Sequence, residues 1–311
     1  NEILDFLKAD YGIIGPGEII FPKFLELWQS KNIKQRIFDG WEAGVDNTLL
    51  NLRGNKVNYP KYLEQEGIVG FRTHTGCKNK CPYCIESNTQ VHFKKISTII
   101  KELSYLISQG FNHFHTCDTE FNTNLKFSIN FCLSLIEKRL DLKWALYMKP
   151  TPYNEKLFEF LHKSKAYLIT LSVDSDERIQ KSNKYNYNDL KKIINYCHRY
   201  DIKLAIDLLT GYPNEPLESV VKIIDFFKNN RPFTVGISFN YRIYKPTPLA
   251  TLVKEDTSLQ KKLNKPYSDN ENFLKPIFYN HLSQETLEEL IDNDDLFRIA
   301  GITPGVNYQQ I

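Results

Sequence analysis

The sequence predicts an α/β fold in which a parallel sheet forms a partial barrel. From about residue 68 to residue 245, apolar segments rich in β-branched and aromatic residues alternate with segments of helical periodicity. This alternation is typical of βα units around a parallel sheet. Six predicted strands joined by five helical crossovers fit a partial barrel. At 311 residues, 41% of them hydrophobic, the chain can bury a large core.

The predicted elements follow one another in a regular order. The six strands cover residues 68–73, 111–116, 143–148, 167–173, 203–209 and 234–240. The crossover helices have apolar residues at helical spacing and cover residues 96–108, 124–138, 153–163, 188–200 and 216–228. In such sheets, active sites collect where the strands end at their carboxyl side. We therefore expect the functional residues in the loops that follow the strands.

Three cysteines follow the first predicted strand directly. Cys77, Cys81 and Cys84 have the spacing C-x3-C-x2-C. Thiolates are the usual ligands of iron–sulfur clusters, and a 4Fe-4S cluster normally takes four of them. Three cysteines at close range would leave one iron open to an exchangeable small molecule.

Two other uses of these cysteines stand as alternatives. A structural zinc site commonly needs two C-x2-C pairs, whereas Cys117, Cys132 and Cys197 are scattered singly. A disulfide framework disagrees with a large, charged chain that shows no secretory signal. We therefore expect a cytoplasmic protein with reduced thiols and keep a zinc-binding module as the alternative of another class.

The cysteine spacing, with the aromatic Tyr83 before the last cysteine, resembles the signature of radical S-adenosylmethionine (SAM) enzymes. The resemblance covers residues 68–250 and implies a TIM-like (β/α)6 partial barrel. It also implies that SAM binds the open iron beside Tyr83. An electron from a donor such as flavodoxin or ferredoxin would then cleave SAM. The resulting 5′-deoxyadenosyl radical would abstract hydrogen from a small-molecule or peptide substrate.

The loops after the second and fourth strands carry the first candidates for SAM binding. Asp118 and Glu120 follow the second strand, where the resemblance implies a motif that holds the SAM amino group. Asp118 has an alternative role as a helix cap. Ser172 and Asp174 end the fourth strand and suit the SAM ribose, although Asp174 or Asp176 can instead cap the following turn.

The loops after the fifth and sixth strands add further candidates. Gly211 begins a turn that resembles the G-x-P-x-E segment of the family, and glycine permits close approach to a cofactor. Arg242, after the sixth strand, can pair with a carboxylate of SAM or substrate. Arg242 and Cys117 are also the candidates for catalysis. For Cys117 we favour the alternative of a small buried hydrophobic residue, and for Arg242 a solvated surface position.

The N-terminal segment predicts a short strand, a glycine turn and a helix over residues 9–28. This pattern resembles the end of the Rossmann-like cobalamin-binding domain of cobalamin-dependent radical SAM enzymes, with Pro16 in place of a glutamate. A complete domain of that kind needs more than about 100 residues, and no D-x-H-x-x-G ligand motif occurs. We thus divide the chain into a domain remnant with linker (1–67), a barrel (68–250) and a capping extension (251–311), for which a purely surface role is equally open.

The balance of charges limits which partners are expected for this chain. Forty basic and 37 acidic residues leave a net charge of +3, so neither nucleic acid nor a membrane is an expected partner. The predicted function is C–H activation by SAM cleavage, with radical C-methylation as its first outcome and a cobalamin-independent rearrangement or oxidation as the alternative. A methylthiotransferase acting on RNA ranks lower, because the last 60 residues are partly acidic.

Overall fold

The computed structural model describes residues 1–46, 58–65 and 67–301. The front part contains a two-stranded parallel ladder, in which Gly12 lies opposite Ile37. The predicted strand, glycine turn and helix are present there as β1, the turn at Gly15 and α2. The elements of this part are α1 (Glu2–Leu7), β1 (Gly12–Ile14), α2 (Ile20–Gln29), β2 (Ile37–Asp39), α3 (Gly40–Ala43) and α4 (Tyr59–Glu64).

The central part consists of alternating strands and helices, as predicted. A short 3-10 turn, Phe121–Thr123, precedes the second long helix. The elements are β3 (Val69–Phe71), β4 (His74–Thr75), β5 (His92–Phe93), α5 (Ile96–Ser108), β6 (His113–Thr116), α6 (Leu125–Glu137), β7 (Lys143–Met148), α7 (Glu155–Lys163), β8 (Ala166–Asp174), α8 (Glu177–Ser182), α9 (Tyr187–Arg199), β9 (Lys203–Leu209), α10 (Leu217–Asn230) and β10 (Thr234–Ser238).

The C-terminal part adds a small antiparallel ladder and one more strand of the main sheet. Its elements are β11 (Asn240–Arg242), α11 (Pro248–Glu255), α12 (Thr257–Gln260), β12 (Phe278–Asn280), α13 (Gln284–Ile291) and β13 (Phe297–Ile299).

Three crossover helices begin at an asparagine whose side chain caps the first turn. Asn124 accepts from the backbone N–H of Phe127, and Asn154 accepts from that of Leu157. Asn186 forms a capping box with Asp189. Such caps satisfy N–H groups that lack partners within the helix, and each contributes about 1 kcal/mol.

The main sheet is parallel, with the strand order β13-β10-β9-β8-β7-β6-β3. It confirms the predicted α/β partial barrel and contains all six predicted strands. β3 ends earlier than predicted, because the N–H groups of Thr73 and His74 bind the carboxylate of Asp118 instead of a neighbouring strand. The six strands and the cysteine loop after β3 place the site at one end of the sheet.

The seventh strand, β13, lies beside β10 and was not predicted from the sequence. It comes from the region that the sequence assigned to a capping extension, and it adds a strand to the main sheet. Its three residues, Phe297 to Ile299, show only one apolar alternation, which is too short to indicate a strand.

The largest core lies between the sheet and its helices. Trp144, Ile169, Ile206 and Ile237 are completely or almost completely buried in it. Side chains alternate along a strand, so the neighbouring residues of these strands face the interior of the barrel.

A second core joins the C-terminal part to the loops at the strand ends. It includes Tyr212 and Tyr241, together with Leu249 and Tyr279, which are fully buried. The backbone N–H of Leu249 donates to the carbonyl of Pro82 at 3.0 Å, which connects α11 to the cysteine loop. Within the described ranges, no helix is long and apolar enough to cross a membrane.

Candidate cofactor site at the ends of the strands

The loop that carries the three cysteines has a defined backbone conformation. It starts at Gly76, whose φ of 82° lies in the left-handed region. A Cβ atom there would approach the carbonyl oxygen of Gln90 to 2.0 Å, so only glycine fits. Cys77 contributes its carbonyl to the N–H of Thr89 at 2.8 Å. The short β4–β5 ladder closes the loop.

The cysteine sulfurs lie in a largely desolvated environment with several donors. Cys77 and Cys81 are buried, and Cys84 is half-buried. The Cys77 sulfur accepts a hydrogen bond from Asn79 Nδ2 at 3.2 Å. The Cys81 sulfur accepts from Lys149 Nζ at 2.9 Å and more weakly from the amide of Asn183 at 3.5 Å. Donors to sulfur are a common environment of iron–sulfur ligands.

The cysteines do not converge on one point. Across the residues that the structure describes, no three His, Cys, Asp or Glu side chains are close enough to hold a single metal ion. A 4Fe-4S cluster does not need that convergence, because each thiolate binds a different iron. The thiols and their donors therefore fit such a cluster in chemistry.

Lys149 is a functional candidate outside the set of residues predicted from the sequence. It follows β7, is buried, and contacts the sulfur of Cys81. Burial lowers the pKa of its ammonium group, but the negative charge of Cys81 and of the carboxylates of Asp174 and Glu120 outweighs burial and holds this pKa above its ordinary value. The one sequence signal for Lys149 is its position at the end of a strand, directly before Pro150.

Glu120 has a buried carboxylate with one oxygen that lacks a partner. Its Oε2 atom makes no hydrogen bond with any residue in the described part of the chain. Burial raises the pKa of Glu120 to about 8, against the opposing effect of Lys149. A buried carboxylate without a partner is costly, and such groups are frequent in functional sites.

Asp174 is held by two tyrosines at the end of β8. Tyr83 donates its phenol proton to Asp174 Oδ1 at 2.5 Å, and Tyr185 lies 3.4 Å from Oδ2. Burial raises the pKa of Asp174, and burial together with Asp174 raises that of the Tyr83 phenol. Tyr83 also packs edge-on against Tyr241 of the second core. The structure thus brings the cysteine loop, β8 and the second core together.

Asp118 accepts three hydrogen bonds from the end of β3. Its Oδ1 receives the N–H groups of Thr73 and His74, and its Oδ2 receives the Thr73 hydroxyl at 2.7 Å. It caps no helix. These contacts hold the start of the cysteine loop, so they favour a supporting role for Asp118.

The remaining predicted residues occupy different positions around the strand ends. Ser172 is half-buried on β8, opposite Asp207 of β9. Gly211 has a φ of 82°, and its N–H donates to Glu215 Oε2 at 2.6 Å. Asp176 caps α8, which assigns the predicted capping role to this residue and not to Asp174.

The two residues predicted as weak catalytic candidates are exposed. Arg242 lies with its guanidinium group over the ring of Tyr244. The preferred interpretation of Cys117 as a buried hydrophobic residue is wrong, because its side chain is exposed. Its sulfur lies above Gly70, where a Cβ atom would approach it to 2.5 Å. The missing side chain of Gly70 leaves room for Cys117 on this face of the sheet.

A parallel α/β barrel with clustered cysteines and buried carboxylates at its strand ends defines an enzyme of the partial-barrel class. The chain belongs to the radical SAM superfamily, whose family model matches residues 71–227, half of the chain. Members of this superfamily use a 4Fe-4S cluster and SAM. The predicted family, enzyme class and these two cofactors are therefore confirmed.

Individual relatives are more distant. Tryptophan 2-C-methyltransferase of Streptomyces laurentii is 24% identical over 237 residues, which cover 69% of this chain and 40% of that protein. A tRNA-2-methylthio-N(6)-dimethylallyladenosine synthase of Thermodesulfovibrio yellowstonii is 26% identical over 175 residues, covering 50% of this chain and 39% of that protein. The chain thus spans about two fifths of these relatives.

A solved structure supports the fold over almost the whole chain. The radical SAM methyltransferase TsrM from Kitasatospora setae, solved with cobalamin and a 4Fe-4S cluster, has a TM-score of 0.84 at 19% identity. The match covers 98% of this chain and 72% of that chain. At this identity the likeness establishes a shared architecture, which includes the N-terminal part.

Proposed function

We propose that this chain contains the SAM-cleaving barrel of a radical C-methyltransferase. In this proposal Cys77, Cys81 and Cys84 bind a 4Fe-4S cluster, and SAM binds its fourth iron. One observation carries the proposal: the three thiols lie at the strand ends where Glu120 presents a buried oxygen without a partner. That oxygen is suited to an ammonium group, which would supply both the missing hydrogen bond and the compensating charge.

Different residues around the cysteines bind different groups of SAM. Glu120 accepts the amino group of SAM. Asp174, held by Tyr83, and Ser172 offer oxygen acceptors to the ribose hydroxyls, and the turn at Gly211 allows the backbone to approach the cofactor closely. A cluster held by Cys77, Cys81 and Cys84 would supply the single electron needed to cleave the C5′–S bond of SAM into methionine and a 5′-deoxyadenosyl radical.

The second core contributes by keeping water away from the radical. Tyr241 and Leu249 are buried in the second core, which packs against Tyr83 at the strand ends. A closed apolar cover prevents side reactions of a reactive intermediate. Cys117 and Arg242 are exposed, and we place them with the substrate and not with the cluster.

Methylation is the outcome that the relatives favour. Tryptophan 2-C-methyltransferase is similar to this chain over 237 residues, and the TsrM fold with bound cobalamin extends over 98% of it. The strand β1, the turn at Gly15 and the helix α2 support the proposal that this part of the chain is the end of a cobalamin-binding domain. We therefore include cobalamin as a third cofactor, a small aromatic molecule or peptide as substrate, and flavodoxin or ferredoxin as electron donor.

The proposal keeps the division into residues 1–67, 68–250 and 251–311, and a cytoplasmic location. The boundary near residue 67 is supported by the separate β1–β2 ladder, whereas the boundary at residue 250 falls inside α11. The location is supported by the six cysteines, which are all free thiols in the structure.

The first experiment tests the cluster and SAM cleavage. Anaerobic reconstitution with iron and sulfide, followed by dithionite and SAM, should produce 5′-deoxyadenosine. Substitution of Cys77, Cys81 and Cys84 by alanine should abolish both bound iron and product, whereas Cys197→Ala, on α9, should retain iron. A reconstituted wild-type chain without bound iron would refute the ligand assignment, and bound zinc without iron would favour the zinc-binding module.

The second experiment tests the outcome after SAM cleavage. The protein is supplied with cobalamin, methyl-labelled SAM and tryptophan as the first substrate to examine. A labelled methyl group on the indole carbon would support C-methylation. Transfer of a methylthio group would contradict it and favour the chemistry of the tRNA-modifying relative, while conversion of substrate in the absence of cobalamin would favour a rearrangement or oxidation.

A further inference from the structure

Cys81 differs from the other cysteines of the motif in that its sulfur accepts a hydrogen bond from a charged group. Its donors are Lys149 and Asn183. The Cys77 sulfur accepts from the side chain and the backbone N–H of Asn79, and the Cys84 sulfur accepts from the backbone N–H of Glu86. Among the described residues, the one charged donor to a cysteine of the motif is therefore Lys149, which points at Cys81.

The backbone of Lys149 is fixed by a buried amide. Its N–H donates to Asn122 Oδ1 at 3.1 Å, and its carbonyl accepts from Asn122 Nδ2 at 2.8 Å. The same amide nitrogen also donates to the carbonyl of Pro152 at 2.7 Å. These three bonds hold the loop after β7, so the side chain of Lys149 extends from a fixed backbone.

The second donor is tied to the same loop. Thr151 donates its hydroxyl to the carbonyl of Asn183 at 3.1 Å. The side-chain oxygen of Asn183 accepts from the N–H of Lys80, next to Cys81, also at 3.1 Å. Asn183 therefore connects the loop after β7 with the cysteine loop, and both donors meet the same sulfur.

The ammonium group of Lys149 lies beside a sulfur that is negatively charged when it binds iron. Its side chain is buried, and a buried cation needs a nearby negative partner. Lys149 forms no ion pair with a carboxylate of the described residues within 4.0 Å, although Asp174 and Glu120 are near enough to affect its pKa. Its one hydrogen-bonding partner for the ammonium group among these residues is Cys81.

We propose that Lys149 is a positioning residue that sets the reduction potential of the cluster through the Cys81 sulfur. The inference rests on the proposed role of Cys81 as an iron ligand. A charge-assisted N–H···S bond withdraws electron density from the sulfur and stabilises the form of the site that carries one more electron. Lys149 would thereby make it easier for the cluster to accept the single electron that SAM cleavage consumes.

The test compares three substitutions of Lys149. Lys149→Arg retains the cation, Lys149→Gln retains a neutral donor, and Lys149→Met removes both. Lys143→Met is the matched control, because Lys143 is exposed at the opposite end of the same strand, β7. Each anaerobically reconstituted protein is titrated with dithionite in the absence of SAM, and the reduced cluster is quantified by electron paramagnetic resonance.

Lys149→Met should shift the midpoint potential to a more negative value. The equilibrium ratio of reduced to oxidised cluster at a fixed potential should fall about tenfold, the scale of one charge-assisted hydrogen bond, which equals about 59 mV for a one-electron couple. Lys149→Gln should give a smaller shift. Lys149→Arg and Lys143→Met should remain close to the wild type.

Equal midpoint potentials in the wild type and Lys149→Met would overturn the proposal. If Lys149→Met binds no cluster, Lys149→Gln and Asn183→Leu decide: negative shifts in both support the proposal, and unchanged potentials overturn it. Failure of the wild type to bind iron would instead refute the ligand assignment, so the two failures are distinguishable.

Discussion

Glu120 is the residue at which burial and charge conflict most clearly. Its carboxylate is buried, one oxygen has no partner among the described residues, and its pKa is raised to about 8. By contrast, Glu102 is also buried but pairs with Lys94 at 2.9 Å. The paired carboxylate stabilises the fold, whereas the unpaired one is a cost that a bound ammonium group would remove.

We expect Glu120→Gln to stabilise the cluster-free protein at pH 8. The folded chain holds the Glu120 proton more tightly than the unfolded chain, so its stability falls as pH rises from about 4.5 to about 8. Removing the titrating group should raise the free energy of unfolding by on the order of 4 kcal/mol at pH 8. The gain should vanish below about pH 4.5. Denaturant unfolding across this pH range measures the effect.

Glu102→Gln is the control for that experiment. It leaves the buried ammonium of Lys94 without its partner and should destabilise the protein by about 3 kcal/mol. Glu120→Gln should also weaken SAM binding in the reconstituted protein, because a neutral amide does not compensate an ammonium group. A Glu120→Gln protein that is less stable at pH 8 than the wild type would contradict this account.

At the scale of elements, the cysteine loop depends on one backbone position. Gly76 and Gly110 both have positive φ, at 82° and 92°. An added Cβ atom would meet the Gln90 carbonyl at Gly76, but it would meet no atom within 4 Å at Gly110. Substitution of Gly110 would therefore introduce backbone strain alone, whereas substitution of Gly76 would introduce both strain and a steric collision.

Gly76→Ala should lower iron binding after reconstitution, and Gly110→Ala should not. Both substitutions introduce a strain of about 1 kcal/mol from the left-handed conformation. Only Gly76→Ala forces the loop away from Gln90 and thereby moves Cys77. Iron and sulfide per chain measure the effect, with thermal unfolding as a check of folding. Equal iron content in the two variants would show that the loop tolerates the displacement.

The sequence was sufficient for the elements whose signals are local. β7 and β9 have the predicted bounds, and the cysteine spacing located the site after β3. The contact between Lys149 and Cys81 joins residues 68 positions apart, so no periodicity or motif indicates it. The exposure of Cys117 depends on Gly70 of a neighbouring strand, and β13 is too short to have a pattern. These features arise from packing between distant segments.

At the scale of the whole molecule, the second core couples the C-terminal part to the site. Leu249 of α11 is completely buried, and its N–H binds the carbonyl of Pro82 in the cysteine loop. Leu252, on the same helix, is 40% exposed. The helix therefore offers a buried and an exposed leucine for comparison.

Leu249→Ala should destabilise the protein by about 3 kcal/mol, because it leaves a cavity in the second core. It should also speed the loss of iron to a chelator, since the contact of α11 with the cysteine loop loosens. Leu252→Ala should change the free energy of unfolding by less than about 1 kcal/mol. Denaturant unfolding measures the first effect, and the rate of iron loss to the chelator measures the second. Equal rates of iron loss in the two variants would show that the contact of α11 does not stabilise iron binding.

The position of β13 beside β10 has a consequence for how the family can diversify. These neighbouring strands are connected through α13, which binds α10 through the Lys228 ammonium and the Leu290 carbonyl. They form one βα unit, and residues 240–280 are an insertion within its first loop. An insertion anchored at both ends can change in length and sequence while the sheet stays intact. New substrates can thus be accommodated without a change in the sheet, as long as Leu249 and Tyr241 keep their contacts with the cysteine loop.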